Sequence, residues 1–225
     1  EGPQQEYGRN KLACEAYLLG RYRETGFPIT IARFGMVLGR LELLDAQRAH
    51  ARGADPLPFV AAARAALGHA LELNPAATEA HMRLGLVGRE EGRWAAGRGE
   101  DPEPAWSAAE ADFTSALEIN PRWEQVWHGR GLLRLERAAH RAARSEDAGA
   151  QFAESLADLE RVIEVNPTYV DGWLALGEAK RRWAEHAAAR GGEPRTRLEE
   201  ARTDLDRALA LGPNHPAARR ERGRI

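Results

Sequence analysis

The chain has 225 residues, 43% hydrophobic and 29% charged, which is typical of a globular protein with a buried core rather than of a disordered one. Its 32 basic and 34 acidic residues give a net charge of −2, so nothing in the charge balance points to nucleic acid or to an anionic membrane. No apolar run approaches the roughly 20 residues of a membrane helix, and the single cysteine, Cys14, fits a reducing compartment, so we expect a cytoplasmic protein.

The first forty residues carry a pattern of their own. Tyr7 and Lys11 stand four positions apart at the start of a helical pattern that continues through Leu12-Ala13-Cys14-Glu15 and ends near Pro28. Residues 29–35, Ile-Thr-Ile-Ala-Arg-Phe-Gly, then predict a β-strand. Together the motif, its helix and the following strand resemble the extended short-chain dehydrogenases, the NAD-dependent epimerases and dehydratases.

That resemblance implies a proton transfer at the substrate oxygen by Tyr7, with Lys11 lowering its pKa and holding the nicotinamide ribose. The sequence has no Gly-x-x-Gly-x-x-Gly loop to cradle a pyrophosphate, and the serine or threonine partner expected upstream is missing too. We therefore treat residues 1–40 as an incomplete dehydrogenase-like fragment, with no active catalytic residue and no cofactor expected.

From residue 41 to 225 the chain repeats itself at a fixed step. An Asn-Pro or Gly-Pro pair recurs every 46 residues, at Asn74-Pro75, Asn120-Pro121, Asn166-Pro167 and Gly212-Pro213. A glycine recurs on the same step, at Gly85, Gly131, Gly177 and Gly223. Two independent markers on one period indicate an array of repeated structural units.

Each unit contains two helical patterns. Before the proline, apolar residues follow spacings of 3, 4, 3 and 1, which is one stripe at the helical period; in the second copy they are Trp106, Ala109, Phe113, Ala116 and Leu117. Proline ends this helix and suits the first turn of the next one. The next helix carries the recurring glycine, which costs roughly 1 kcal/mol of helix propensity against alanine. We therefore expect that glycine to let a neighbouring helix come close.

The motif Trp173, Leu176 and Gly177, together with Ala116-Leu117 before Pro121, resembles the tetratricopeptide repeat (TPR) family. The family repeat is about 34 residues, so each copy here is about 12 residues longer, and Arg134 and Lys180 stand where the family has a tyrosine. Long repeats of this sort resemble arrays attached to bacterial kinases. The resemblance implies an all-α fold, an α-solenoid of TPR-like helical hairpins over residues 41–225, with a short helix–strand segment before it.

The resemblance also implies a function. Such a solenoid offers a concave face, lined by the first helix of each pair, to a peptide or a partner protein. We expect the partner-binding residues one helical turn apart on these helices: Glu79, Met82, Leu86, Arg89, Gln125, His128, Leu132, Leu135, Asp171, Leu174, Glu178 and Arg181. This set lacks the Lys/Asn/Arg group with which chaperone-binding members clamp a C-terminal carboxylate, so we expect weak or no binding to acidic C-terminal peptides.

Other kinds of site have little support. No Cys, His or carboxylate cluster has metal-ligand spacing, so we expect no metal. Asp112, Asp158 and Asp204 recur one per repeat, which favours a solvated or cross-helix-paired position over acid–base catalysis. The prediction is a non-enzymatic protein–protein interaction scaffold, the alternative being a severed part of an NAD-dependent epimerase or dehydratase. The oligomeric state is not indicated.

Overall fold

The structure, a computed structural model, describes residues 28–225, with side chains from Gly35 onward. Every regular element in this part of the chain is an α-helix. In chain order they are α1 (Pro28–Ala51), α2 (Leu57–Leu73), α3 (Thr78–Gly97), α4 (Glu103–Ile119), α5 (Glu124–Ala143), α6 (Gly149–Val165), α7 (Val170–Ala189), α8 (Arg195–Leu211) and α9 (Pro216–Arg222). The all-helical prediction for the repeat region is confirmed.

The β-strand predicted at residues 29–35 is wrong, because these residues form the first turns of α1. The β-branched residues there favour a strand only where a neighbouring strand can pair with it. Instead α1 packs along α2 as the first helix of a hairpin, and this tertiary contact overrides the local preference. Tyr7, Lys11 and the rest of residues 1–27 lie outside the described part of the chain.

The helices form hairpins in two layers. We call the odd-numbered helices A and the even-numbered helices B; the B helices begin at residues 57, 103, 149 and 195, in steps of 46. Each of the first four A helices contacts the B helix after it and the next A helix along the chain, whereas within residues 28–225 no B helix contacts another. Because the A helices lie closer to one another, their layer is the concave side of the array.

Short turns join each B helix to the following A helix. The asparagine before each proline accepts a hydrogen bond from the backbone N–H two residues on, with distances of 3.2, 3.1 and 3.2 Å for Asn74, Asn120 and Asn166. This turn satisfies a local donor while the proline stops the helix. The B helices end at Leu73, Ile119 and Val165, directly before these asparagines, as predicted.

A second contact locks the same joints. Six residues after each proline, in the first turn of the next A helix, a side chain donates a hydrogen bond to the proline's own carbonyl oxygen. The four donors are one repeat apart and chemically different: His81 (3.0 Å), Trp127 (2.8 Å), Trp173 (2.9 Å) and Arg219 (2.9 Å). The joint therefore requires a nitrogen donor of the right reach rather than one particular residue.

The recurring glycines sit where A and B helices touch. A Cβ added to Gly85 would lie 2.8 Å from the Phe113 ring, and one added to Gly131 would lie 2.8 Å from Leu159. The same relation holds one repeat away on each side, for Gly39 with Leu67 and for Gly177 with Leu205. Because all four large side chains are fully buried, the prediction that glycine permits close approach is confirmed for Gly85, Gly131 and Gly177. It is wrong for Gly223, which caps the end of α9 and where a Cβ would meet only carbonyl oxygens of the same helix, the nearest at 3.5 Å. We call these four pairs the hairpin seam.

Charged pairs replace the tyrosine of the TPR pattern. Asp158 of α6 receives two hydrogen bonds from Arg130, at 2.9 and 2.8 Å, and lies 3.1 Å from Arg134. One repeat on, Lys180 lies 2.8 Å from Asp204. These aspartates are nearly buried, so the expectation of a cross-helix-paired position is confirmed for both.

Candidate partner-binding groove

A groove of about 470 Å³ lies on the concave A layer and crosses from α1 to the start of α7. Three apolar side chains form its floor: Met82 and Leu86 of α3 and Leu132 of α5. Each of the three also packs into one of the buried core clusters, so its position is fixed from below. The floor is therefore formed in advance by the packing of the hairpins.

Two arginines of the lining are neutralised within the chain. Arg83 forms an ion pair with Glu79 one turn earlier on α3. Arg89 donates two hydrogen bonds to Glu136 of α5, at 3.0 and 2.6 Å. Burial opposes the charge of Arg89, but the attraction of Glu136 outweighs it and raises the pKa of the guanidinium. Neither arginine leaves a free charge for a ligand.

His128 stands in the same groove as a neutral side chain. Burial first, and the nearby positive charge of Arg89 second, lower its pKa from 6.5 to about 4, although Asp171 opposes the shift. The imidazole meets the ring of Tyr169 edge-on, with centroids 5.4 Å apart and planes at 89°. This pair joins α5 to the turn before α7 and closes one end of the groove.

Two polar groups of the lining are unused. Arg40 of α1 is exposed, and its guanidinium has no ion-pair or hydrogen-bond partner among the described residues. Gln125 of α5 is exposed as well, and its side-chain amide has no partner in that part of the chain. They lie on different helices at two sides of the apolar floor. Among the described residues, the groove thus combines a fixed apolar floor with one free cation and one free amide.

The groove stops at the Arg89–Glu136 pair. Beyond it, toward the C-terminal ends of the A helices, lies a smaller pocket of about 280 Å³ lined by residues that include His50, Trp106, Glu136 and His140. Glu136 there is occupied by Arg89 and by Arg93, which lies 3.7 Å away. The ion pair therefore divides the A layer into two depressions of different character.

The structure brings six of the twelve predicted partner-binding residues together as groove lining: Met82, Leu86, Arg89, Gln125, His128 and Leu132. Glu79 lies beside them and holds Arg83. The other five lie elsewhere. Leu135 is buried in a core cluster, Leu174 is half-buried, Asp171 pairs with His215, Glu178 pairs with Arg182, and Arg181 is buried against Glu221.

Four lining residues were missed from the sequence: Arg40, Arg83, Gly129 and Tyr169. Arg40 was missed because it was assigned to the dehydrogenase-like fragment rather than to the repeats, although Arg40 stands 46 residues before Leu86 and so shares its repeat position. Arg83 and Gly129 are direct neighbours of predicted residues. Tyr169 precedes α7 in a turn, where helical spacing carries no information.

Two further properties concern the described residues as a whole. No group of three or more His, Cys, Asp or Glu side chains between residues 35 and 225 could hold a metal ion. None of the helices described is both long and apolar enough to cross a membrane.

Comparison with known proteins gives a fold but no family. No family model matches the chain, and no curated protein matches it. Among solved structures, PilF of Pseudomonas aeruginosa matches 83% of this chain and 67% of its own, at 16% identity and a TM-score of 0.52.

Two further solved structures score lower. The TPR domain of Arabidopsis OM64 matches 64% of this chain and 95% of its own, at 21% identity and a TM-score of 0.42. YrrB, described as a TPR protein with an unusual peptide-binding site, matches 92% and 97% at 17% identity and a TM-score of 0.34. Scores this low do not support an argument by themselves. The repeating hairpins and the likeness to PilF show an α-solenoid of TPR-like helical hairpins.

Proposed function

We propose that this protein is an interaction scaffold that binds a peptide or a partner protein on its concave A layer. The observation that carries the proposal is the groove itself, where the apolar floor of Met82, Leu86 and Leu132 lies beside polar groups that the chain leaves unused. Apolar concavities with a few convergent polar groups are the usual form of binding sites.

The groove is suited to binding because its floor is already ordered. Leu86 and Leu132 are held by core clusters on the hairpin side, so a ligand would not have to order them. Preorganisation of this kind lowers the entropic cost of association and leaves more of the contact energy as affinity.

Selection from a displayed library of random peptides tests the proposal. We expect enrichment of binding peptides on the intact chain and loss of that binding in Gln125→Trp, where a large ring placed on an exposed lining position fills the groove. The matched control is Ala157→Trp, which adds the same ring at an exposed site on α6, in the other layer. Equal binding by both variants would place the binding site outside the groove.

The alternative, a severed part of an NAD-dependent epimerase, required the strand at residues 29–35, and these residues are helical. We expect no saturable binding of NAD, since the sequence lacks the loop whose backbone N–H groups would meet the pyrophosphate. Calorimetric titration of the chain and of Lys11→Ala with millimolar NAD checks this. Saturable heat that disappears in Lys11→Ala would restore the dehydrogenase interpretation.

A further inference from the structure

We infer that the groove takes an extended segment of a partner protein that places an acidic side chain on Arg40 and apolar side chains on the floor beside it. This inference rests on the proposed function and specifies the chemistry of its ligand. It depends on which charges of the groove are already neutralised, on which polar groups remain free and on the distance between them.

One charged side chain of the described lining is left without a partner. Arg83 and Arg89 are paired with Glu79 and Glu136, and His128 is neutral near pH 7. At the far end of the groove, Asp171 accepts a hydrogen bond from His215 at 3.1 Å. Arg40 is thus the uncompensated charge of the described lining. A ligand that approaches the α1 side of the groove meets the positive charge of Arg40, which an Asp or Glu side chain complements.

The free amide of Gln125 indicates an extended rather than a helical ligand. A side-chain amide carries both a donor and an acceptor, and so can pair with one peptide unit of a ligand backbone. In an α-helix those backbone groups are already bonded to each other, whereas an extended segment leaves them free. The phenol of Tyr169 adds a donor near the same side, because burial, assisted by Asp171 and Glu124, raises its pKa and keeps it protonated.

The spacing of the helices sets the length of the segment. Arg40 and Gln125 lie on α1 and α5, two steps apart in the A layer. Packed helices are about 9 Å apart, so the two groups are separated by about 18 Å. An extended chain covers about 3.3 Å per residue. The ligand therefore needs about six residues, with the acid at one end and its apolar side chains in the middle, over α3.

The test compares three forms of the protein in one selection experiment. A displayed library of six random residues between Gly-Ser flanks is selected on the intact chain, on Arg40→Glu and on Arg52→Glu. Arg52 is the matched control: it is an exposed arginine just beyond the end of α1 and does not line the groove. We expect acidic residues to be enriched near one end of the peptides on the intact chain and on Arg52→Glu, and basic residues in their place on Arg40→Glu.

Fluorescence anisotropy with one selected peptide gives the magnitude. Replacing its acidic residue with the amide should weaken binding to the intact chain by about two- to fivefold, which lies within the range of an exposed ion pair. The difference should shrink between 50 and 500 mM salt, because an exposed pair is screened. On Arg40→Glu the amide form should bind at least as well as the acidic form.

The outcomes separate the two levels of the proposal. Peptides that bind in the groove with no preference for acidic residues, or with the same preference on Arg40→Glu, would overturn this inference and leave the scaffold function standing. No enrichment on any of the three forms would overturn the scaffold function itself.

Discussion

Two kinds of contact hold the helices together, and they differ in what repeats. Inside each hairpin a glycine of the A helix faces a buried Leu or Phe of the B helix, at the same position in four successive units. Between neighbouring A helices the contacts change at every step: His50 with Glu90, Arg89 with Glu136, the His128–Tyr169 ring pair, and Arg181 with Glu221. The first kind is the hairpin seam; we call the second the A–A seam.

The two seams differ in how strictly packing constrains their side chains. The hairpin seam is dry and tightly packed, so any change of volume there is costly. The A–A seam runs along the concave layer and consists of pairs of polar or ring side chains that differ from one step to the next. The hairpin seam is therefore constrained by packing in four successive units, while the contacts of the A–A seam differ from unit to unit.

The largest expected effect is in the hairpin seam. Phe113→Ala should reduce the free energy of unfolding by about 3–5 kcal/mol, since the ring is fully buried. Gly85→Ala alone should also destabilise, by about 1–3 kcal/mol, because its Cβ would lie 2.8 Å from that ring. When Phe113 is already replaced by alanine, however, Gly85→Ala should no longer destabilise the protein and should recover part of the lost free energy of unfolding. Chemical denaturation of the four proteins as a double-mutant cycle measures the coupling.

The control for that cycle is Gly68→Ala. Gly68 is in the interior of α2, and a Cβ there would meet nothing within 4 Å. The substitution should stabilise by about 1 kcal/mol through helix propensity alone. If Gly85→Ala stabilised the intact protein as Gly68→Ala does, the hairpin seam would not be tightly packed.

His128 should make stability depend on pH. Its folded-state pKa, about 4, lies below the unfolded value of 6.5, so between these values the unfolded chain binds more protons than the folded one. Stability is therefore fully present above about pH 6.5 and falls as the pH drops toward 4, by at most about 3 kcal/mol from this residue. Thermal melts from pH 7.5 to 4.5 should show a smaller decrease for His128→Gln; parallel decreases would mean that His128 is solvated.

Removing a contact of the A–A seam should lower the free energy of unfolding by a smaller amount. Glu136→Gln keeps the size of the side chain but removes its charge, and we expect a loss of about 1 kcal/mol because the pair with Arg89 is only partly buried. Glu100→Gln is the matched control, because its pair with Arg98 is more than half exposed on both sides, and it should not change stability measurably. A cost for Glu136→Gln as large as that of Phe113→Ala would remove the distinction between the two seams.

The smallest effect concerns a turn after an A helix. Gly53, Gly99 and Gly191 adopt positive φ angles of 70°, 74° and 78°, and Ser145 takes the equivalent place with φ 61°. A non-glycine residue is strained there, but glycine also gains entropy in the unfolded chain. Ser145→Gly should therefore stabilise by only about 0.5 kcal/mol. Gly99→Ser should instead destabilise the protein, which the same thermal melts would show.

The sequence predicted the hairpins well because their signals are local and repeated. The Asn-Pro steps end B helices, the apolar stripe around Phe113 faces the core, and Gly85 lies in the hairpin seam. Six of the twelve residues predicted on the A helices line the groove. Helical spacing identifies the face of a helix but not which residues on that face become buried, and Leu135 and Arg181 are buried. Residues 29–35 were misread because β-branched residues favour strands, while the packing of α1 against α2 decides the outcome.

The hydrogen bonds from His81, Trp127, Trp173 and Arg219 to the proline carbonyls have a mechanical consequence. Each one ties an A helix to the turn that links it to the preceding hairpin, so it resists rotation of one hairpin against the next. Since each unit of a solenoid contacts only its neighbours, the pitch of the whole array is the sum of these joints. The stiffness of the array therefore depends on these four joints. A rotation at any one of them would change the shape of the groove that crosses the A helices.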